Sequence, residues 1–350
     1  MPAIHQPSRR LIVSLSLLAL GMVGSMVGLR YLLPWRTTSE NPWLGENSSD
    51  ISSRVTAGRA QTSERRSPSA AAPSRLSFLT DIHLPYQARL MQLRQISEEG
   101  LSEPELQQLY QMLASPAVRG ELPEHWFVIA NDIFALLLAH DTQPERLSRE
   151  FLQVLRNPQQ PDVMRDYAVQ HLSAWLHPRS RLASQTKLPQ PQTAQRKKIL
   201  LALAQAATDP SLEHTSIPGT TLMMLADLAR VPSGVDCQDA VTALTPWLRQ
   251  ALQDGSSLSH PTRVSAVSAA GILAPDEFRP VIRQIAYQEK ADASLRLPAI
   301  AALGKIGDEQ DRSPLENIAQ SSPALHYAAR ESAAALARRF PESSETSLQE

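Results

Sequence analysis

Apolar residues recur every three or four positions along most of the chain after about Pro85, and this spacing predicts a succession of helices. Ser102 stands three residues before Glu105, which is the spacing of a capping box at a helix start. The stretch that opens at Pro123 is apolar on every side of its middle, so we expect a buried inner helix there. Further helices are predicted at 143–156, 161–176, 193–208, 217–230 and 238–252.

Proline interrupts this regular pattern at two places. Pro246 falls inside the helix predicted at 238–252, and we expect it to kink or split that helix, because proline lacks the backbone N–H that an inner turn needs. Residues 177–192 contain three prolines and lose the helical spacing altogether. They are predicted to form a protruding loop.

The pattern repeats itself between His260 and Phe340 with a period of about 33 residues. The segment TRVSAVSAAGIL, which begins at Thr262, returns as LRLPAIAALGKI, which begins at Leu295. The matched pairs are Arg263 and Arg296, Ala266 and Ala299, Ala269 and Ala302, and Gly271 and Gly304. A period of this length is typical of stacked helical hairpins, none of which can bury its apolar face alone. We expect three hairpin-like units from about Ser259 onward, with the last one a partial cap.

The small residues of the repeat carry specific expectations. The alanines and Gly304 let neighbouring helices approach closely. Gly307, followed by Asp308, is expected to end a helix in a backbone conformation that other residues avoid. Arg263 and Arg296 are expected near helix starts, where they would bond to acids or carbonyl groups of the adjacent repeat.

These residues allow a resemblance to be stated. The segment from Leu295 to Gln320 resembles a HEAT repeat, of the short kind also found in bilin lyase-type HEAT proteins. The features that carry the resemblance are Arg296, Ala299, Ala302-Leu303-Gly304 and Ile306-Gly307-Asp308, and MRDYAVQHL from Met164 is similar to the same first-helix pattern. The resemblance implies an all-α fold, a right-handed α-α superhelix (an armadillo-like HEAT solenoid) over residues 81–340. It implies a protein-binding surface and no chemistry.

The amino-terminal part has a different composition. Residues 11–29 carry no charge and follow Arg9 and Arg10, which predicts a transmembrane signal-anchor helix at 11–33 with residues 1–10 in the cytoplasm and the body on the other side. The alternative is cleavage near Ser25, which would release an exported soluble protein. Residues 34–80 are serine-rich and predicted to be a disordered linker, and residues 341–350 a disordered tail.

Charge and cysteine content narrow the possible partners. The 350 residues carry a net charge of −1, and the chain after residue 39 holds 30 basic residues against 35 acidic ones. A mildly acidic body is a poor match for nucleic acid, which needs a basic stripe. The single cysteine, Cys237, excludes an intrachain disulfide and is expected to fill space in a helix.

The sequence contains no strong catalytic or metal-ligand spacing. Asp132 lies in an otherwise apolar run, and a buried carboxylate must be paired, so Arg165 is proposed as its partner on a neighbouring helix. Asp166, His171 and His177 lie close together in sequence without sharing one helical face, and a structural role is expected for them.

We therefore expect a membrane-tethered HEAT-repeat scaffold in the cell envelope. Its partner would be another protein, bound on the concave face, with the membrane reached through residues 11–33 and no nucleic acid involved. No catalytic residue, metal or cofactor is expected. The alternative is a protein that handles a small ligand or cofactor, or a lyase related to bilin lyase-type HEAT proteins, and an inert spacer is a third possibility.

Overall fold

The computed structural model describes residues 74–81, 83–115, 126–177, 192–230 and 235–341. The chain divides into two units, Met1–Pro73 and Ser74–Glu350, and every described residue belongs to the second. The predicted anchor, most of the predicted linker, Pro123, most of the predicted loop and nearly all of the predicted tail lie outside the described residues.

Within this part of the chain, every element longer than one turn is an α-helix, and no strand is present. The helices are α1 (Tyr86–Glu99), α2 (Glu103–Ala114), α3 (Trp126–His140), α4 (Pro144–Arg156), α5 (Asp162–Leu176), α6 (Thr193–Thr208), α7 (Ile217–Ala229), α8 (Gln238–Ala251), α9 (His260–Leu273), α10 (Pro275–Tyr287), α11 (Ala293–Ile306), α12 (Arg312–Ser321) and α13 (His326–Arg339). Short 3-10 turns lie at Ser77–Leu79, Pro210–Leu212 and Glu309–Asp311.

Local sequence accounts for several helix boundaries. Ser102 and Glu105 form the predicted capping box at the start of α2, where the Ser102 N–H donates to the Glu105 carboxylate at 2.8 Å. The side chain of Asp292 caps α11 by accepting from the Ser294 N–H at 2.8 Å. Proline occupies the first turn of α2, α4, α7, α9 and α10, where its lost N–H costs nothing.

The helices pack in two layers. The first layer consists of α3, α5, α7, α9, α11 and α13, each of which packs closely on the next. The second layer consists of α2, α4, α6, α8, α10 and α12, and in it the helices from α2 to α8 pack closely on the next. Between the layers, consecutive helices form antiparallel-type hairpins such as α4–α5, α10–α11 and α12–α13. One continuous hydrophobic core runs between the layers. The chain is therefore all-helical, with the neighbour-on-neighbour packing of a helical repeat protein.

The 33-residue period is regular in the first layer. Helices α9, α11 and α13 begin at residues 260, 293 and 326, and they end at residues 273, 306 and 339. The repeat found in the sequence thus corresponds to whole helices, and it extends to α13, the last helix in the described part of the chain. Earlier helices have the same layered packing without this regular spacing.

Residues Ser74–Thr80 correct the predicted linker boundary. We expected disorder as far as residue 80, but Leu76 and Leu79 are 1% and 0% exposed in the core. Arg75 ties the segment to α2 through an Nε hydrogen bond to the Glu105 carboxylate at 2.7 Å. The linker was predicted from the high serine content of the preceding chain, which gave no weight to these two leucines. Their burial is enough to order a short segment.

Of the two effects expected at Pro246, a kink or a split, the split does not occur, because α8 continues from Gln238 to Ala251. The proline lies on the exposed side of the helix, as does Thr242, whose carbonyl loses its partner. Water can satisfy that carbonyl, so the helix is not split. The buried side of α8 is formed by Leu244 and Leu248 instead.

Candidate functional site

The surface of the first layer is the broadest candidate for binding. Three of the large hydrophobic side chains that stay exposed are on its helices: Phe127 on α3 (37% exposed), Met223 on α7 (39%) and Tyr327 on α13 (78%). Each sits on a different helix, with at least one helix between them. The layer therefore presents separate apolar anchor points and not one continuous patch.

A polar seam lies between α5 and α7 on this layer. Gln170 donates through Nε2 to Oδ2 of Asp166 at 3.2 Å, while Oδ1 of Asp166 is buried without a hydrogen bond. The hydroxyl groups of Ser216 and Thr220 lie near enough to favour the charged carboxylate, but neither makes a hydrogen bond of normal geometry to Oδ1. Burial outweighs these contacts and raises the pKa of Asp166 above its ordinary value.

The histidines near Asp166 face other groups. Nε2 of His171 lies 3.0 Å from Oδ1 of Asn131, and its ring stacks on Phe134 with 5.2 Å between ring centroids. Burial lowers the pKa of His171 to about 4, so it is neutral at physiological pH. His177 lies 3.3 Å from the carboxylate of Asp227 on α7. Asp166, His171 and His177 therefore do not form one site.

Three arginines repeat one structural contact. Nε of Arg165 donates to the Leu155 carbonyl at 2.9 Å, and Nε of Arg296 donates to the Ala286 carbonyl at 3.0 Å. Nε of Arg263 donates to the Ala251 carbonyl at 3.4 Å, and its Nη2 donates to the Gln253 carbonyl just after the helix at 3.2 Å. Each arginine is the fourth residue of a first-layer helix, and each bonds to the end of the preceding second-layer helix, where free carbonyls and the helix dipole favour a cation.

This contact also corrects the expected partner of Asp132. Arg165 was expected to bond to Asp132, but it donates to the Leu155 carbonyl and its Nη1 lies 3.8 Å from Asp162. Asp132 itself is only half-buried on α3, so the cost of burying its charge is smaller than the sequence indicated.

The two glycines singled out in the sequence act through space and not through unusual backbone angles. A Cβ on Gly304 would lie 2.9 Å from the Cα of Ser332, which is too close for any side chain at the α11–α13 contact. Gly307 has φ −65°, an angle open to all residues, so its predicted conformation is wrong. A Cβ there would lie 2.5 Å from the Leu303 carbonyl oxygen, and this clash explains the glycine.

Two buried carboxylate clusters of the same design were not predicted from the sequence. Asp141, between α3 and α4, is fully buried and accepts hydrogen bonds from the Tyr110 hydroxyl and from Nε of Arg146, both at 2.6 Å. Burial alone would raise its pKa, but these hydrogen bonds outweigh it and hold the pKa below the ordinary value. The Tyr–Asp–Arg contacts join residues up to 31 positions apart, so no local pattern signals them.

The second cluster lies in the turn between α11 and α12. Asp311 is 2% exposed and accepts from the Tyr287 hydroxyl and from Nε of Arg283, both at 2.7 Å. The pKa of Asp311 is again below its ordinary value: burial opposes ionisation, and the hydrogen bonds of Arg283 and Tyr287 more than offset it. Both clusters tie the turn of one hairpin to a neighbouring second-layer helix.

Two features bear on reactive chemistry, namely the grouping of metal-ligating side chains and the state of the cysteine. Among them, no three histidine, cysteine, aspartate or glutamate side chains are placed to hold a metal ion. Cys237 is buried, and burial raises the pKa of its thiol to about 11, so the thiol stays protonated at neutral pH. The described part of the chain also has no helix that is long and apolar enough to cross a membrane.

Comparison with known proteins assigns this chain to no family. No protein-family model matches the chain, and no curated protein matches it either. Among solved structures, the crystal structure of an engineered protein from the Northeast Structural Genomics Consortium is similar over 75% of this chain and 96% of its own, with 12% sequence identity and a TM-score of 0.36. At that score the likeness carries no argument about this protein.

Proposed function

We propose that this protein is an interaction scaffold, a HEAT-type α-solenoid whose first layer forms the concave, partner-binding face. The observation that supports it is the uneven packing of the two layers. Successive helices pack closely throughout the first layer, whereas in the second layer α10 packs much less closely on α8 and on α12. A stack of hairpins curves toward the layer whose helices are closer together, because each repeat adds a small rotation.

The chemistry of this face favours binding of protein over catalysis. Met223 and Tyr327 offer exposed large side chains, the type that dominates binding energy in protein interfaces. Asp227, one turn after Met223 on α7, is already engaged by His177, whose Nε2 lies 3.3 Å from its carboxylate. The protonated thiol of Cys237 argues against the alternative of covalent attachment of a cofactor at cysteine.

Site-specific photo-crosslinking tests this proposal in intact cells. A crosslinking residue at Met223 or Tyr327 should capture a defined protein partner. The same residue at Gln153, exposed on α4 of the second layer, should not. Equal capture from all three positions, or capture from Gln153 alone, would remove the first layer as the binding face.

The proposal includes a membrane tether through residues 11–33, with the solenoid on the non-cytoplasmic side. It rests on the uncharged stretch and the arginines before it. A reporter that is active only after export should work when fused after Glu350. A mature amino terminus at Met26 would show cleavage after Ser25 and an exported soluble protein instead.

A further inference from the structure

A pocket of about 430 Å³ opens where α10 begins and α11 and α13 end. Three basic side chains line it: Arg279, Lys305 and Arg339. Its apolar walls are formed by Pro275, Ile306 and Phe340. A basic group beside apolar walls is the arrangement that holds a carboxylate on a short aliphatic stem.

The two acidic residues of the lining pair with other arginines and not with Lys305 or Arg339. Asp308 is bonded to the guanidinium of Arg283, outside the set of lining residues. Asp276 has a side chain that is 90% exposed and accepts one hydrogen bond, from Nη2 of Arg279 at 2.7 Å. Nε of Arg279 is buried and has no acceptor among the described residues. A buried charged donor without an acceptor costs free energy, so Asp276 satisfies the Arg279 guanidinium only in part.

Lys305 and Arg339 supply the rest of the positive charge in the pocket. The Lys305 side chain is exposed as a whole. Partial burial of its ammonium group lowers its pKa, and the nearby charge of Arg230 lowers that pKa further. Arg339 donates to the backbone carbonyls of Lys305 and Gly307, so no carboxylate neutralises it there. Four basic groups thus converge on this edge of the fold.

We propose that this pocket binds a glutamate or aspartate carboxylate of an acidic peptide segment. The partly exposed guanidinium of Arg279 and the Lys305 ammonium group donate to the carboxylate, and the apolar walls cover its stem. The inference deepens the proposed scaffold function and rests on it, since it names the chemistry of a bound segment. Such a segment can come from a partner protein or from residues 342–350 of this chain, which follow Phe340 and contain three glutamates and no basic residue.

Fluorescence anisotropy with two labelled peptides tests the proposal. The first peptide has the sequence of residues 342–350, and its twin has glutamine in place of each glutamate. We expect the acidic peptide to bind a chain that stops after Pro341, and the twin to bind about tenfold more weakly. Arg279→Gln and Lys305→Gln should each weaken binding about tenfold, whereas Lys290→Gln, a matched charge change in an exposed turn, should not.

Binding that is weaker to the full-length chain than to the shortened chain would identify the chain's own segment as the occupant. Equal binding to both would assign the pocket to a partner. Absence of binding to the shortened chain at low salt, with its helical circular dichroism intact, would overturn the proposal, as would equal binding of both peptides. The crosslinking result at Met223 and Tyr327 is independent of this outcome, so the pocket can fail while the scaffold function stands.

Discussion

Two contacts within the first layer, α3 with α5 and α9 with α11, are equivalent in the packing of neighbouring helices but differ in the size of their side chains. The first is filled by aromatic rings, and the second by glycine and alanine. Between α3 and α5, Phe134 stacks on His171 and also meets Phe151 of α4 edge to face at 4.8 Å. Between α9 and α11, a Cβ placed on Gly271 would come within 2.8 Å of the Ala302 Cβ. The first contact is filled by aromatic rings, and the second leaves no room for a Cβ at Gly271.

The difference shows which part of a helical repeat leaves a trace in sequence. Close approach restricts each contact position to a small residue, so α9, α11 and α13 keep a regular period. Aromatic filling allows many volume-conserving combinations, so α3 and α5 share the architecture but little of the pattern. The arginine contact survives in both halves, at Arg165 and at Arg296, because its acceptor is a backbone carbonyl.

The largest effect is expected from removing the aromatic filling. Phe134→Ala should lower the free energy of unfolding by about 3 to 5 kcal/mol, because Phe134 is fully buried and its loss leaves a cavity among three helices. Phe127→Ala on the same helix is the control, since that ring is 37% exposed. Chemical denaturation measures both. Equal losses would mean that the α3–α5 contact is not organised around Phe134.

The buried carboxylates offer a second test, because one lies near each of the two contacts: Asp141 between α3 and α4, and Asp311 between α11 and α12. Asp311→Asn should cost about 2 to 3 kcal/mol at pH 7, since hydrogen bonds to charged partners are the strong ones. The folded-state pKa of Asp311 lies below its ordinary value, so its contribution is present above the unfolded pKa of about 3.9 and is lost as the pH falls through the folded pKa. The stability difference between wild type and variant should therefore shrink below about pH 4.

Asp141→Asn is the matching change in the other half. Hydrogen exchange should show loss of protection around α2 to α4 in that variant and around α10 to α12 in the Asp311→Asn variant. Identical, uniform loss along the chain in both variants would show that the two halves unfold as one unit, and the comparison drawn between them would not extend to stability.

The helices could be predicted from the sequence because apolar periodicity and capping residues are local signals. It placed α6 at its observed bounds and found the capping box at Ser102. It did not find the Tyr110–Asp141 and Tyr287–Asp311 contacts, since these depend on how distant helices are packed. The expected pairing of Asp132 with Arg165 followed from charge alone, whereas the nearest acceptor for that arginine was a carbonyl, which no side-chain pattern reveals.

A smaller effect is expected from overfilling the close contact. Ala302→Leu should destabilise the protein by about 1 to 3 kcal/mol, because its side chain would be forced against Gly271 of α9. Ala301→Leu is a matched control on the same helix, one residue away and exposed. Thermal unfolding should separate the two. Equal and small shifts would contradict the close approach of α9 and α11 and remove the physical basis of the 33-residue period.

The smallest effect concerns Asp166, and it has the opposite sign. Burial raises the folded-state pKa of this carboxyl, so folding is most favoured below the unfolded pKa of about 3.9, and that advantage is lost as the pH rises through the folded pKa. At pH 7 the charged carboxylate therefore destabilises the folded state, since its Oδ1 is buried and has no hydrogen bond. Asp166→Asn should raise the free energy of unfolding by about 0.5 to 1 kcal/mol at pH 7 and leave it unchanged near pH 3. Loss of stability at pH 7 would instead show that the carboxylate stabilises the start of α7 near Ser216 and Thr220, where a helix amino terminus favours negative charge.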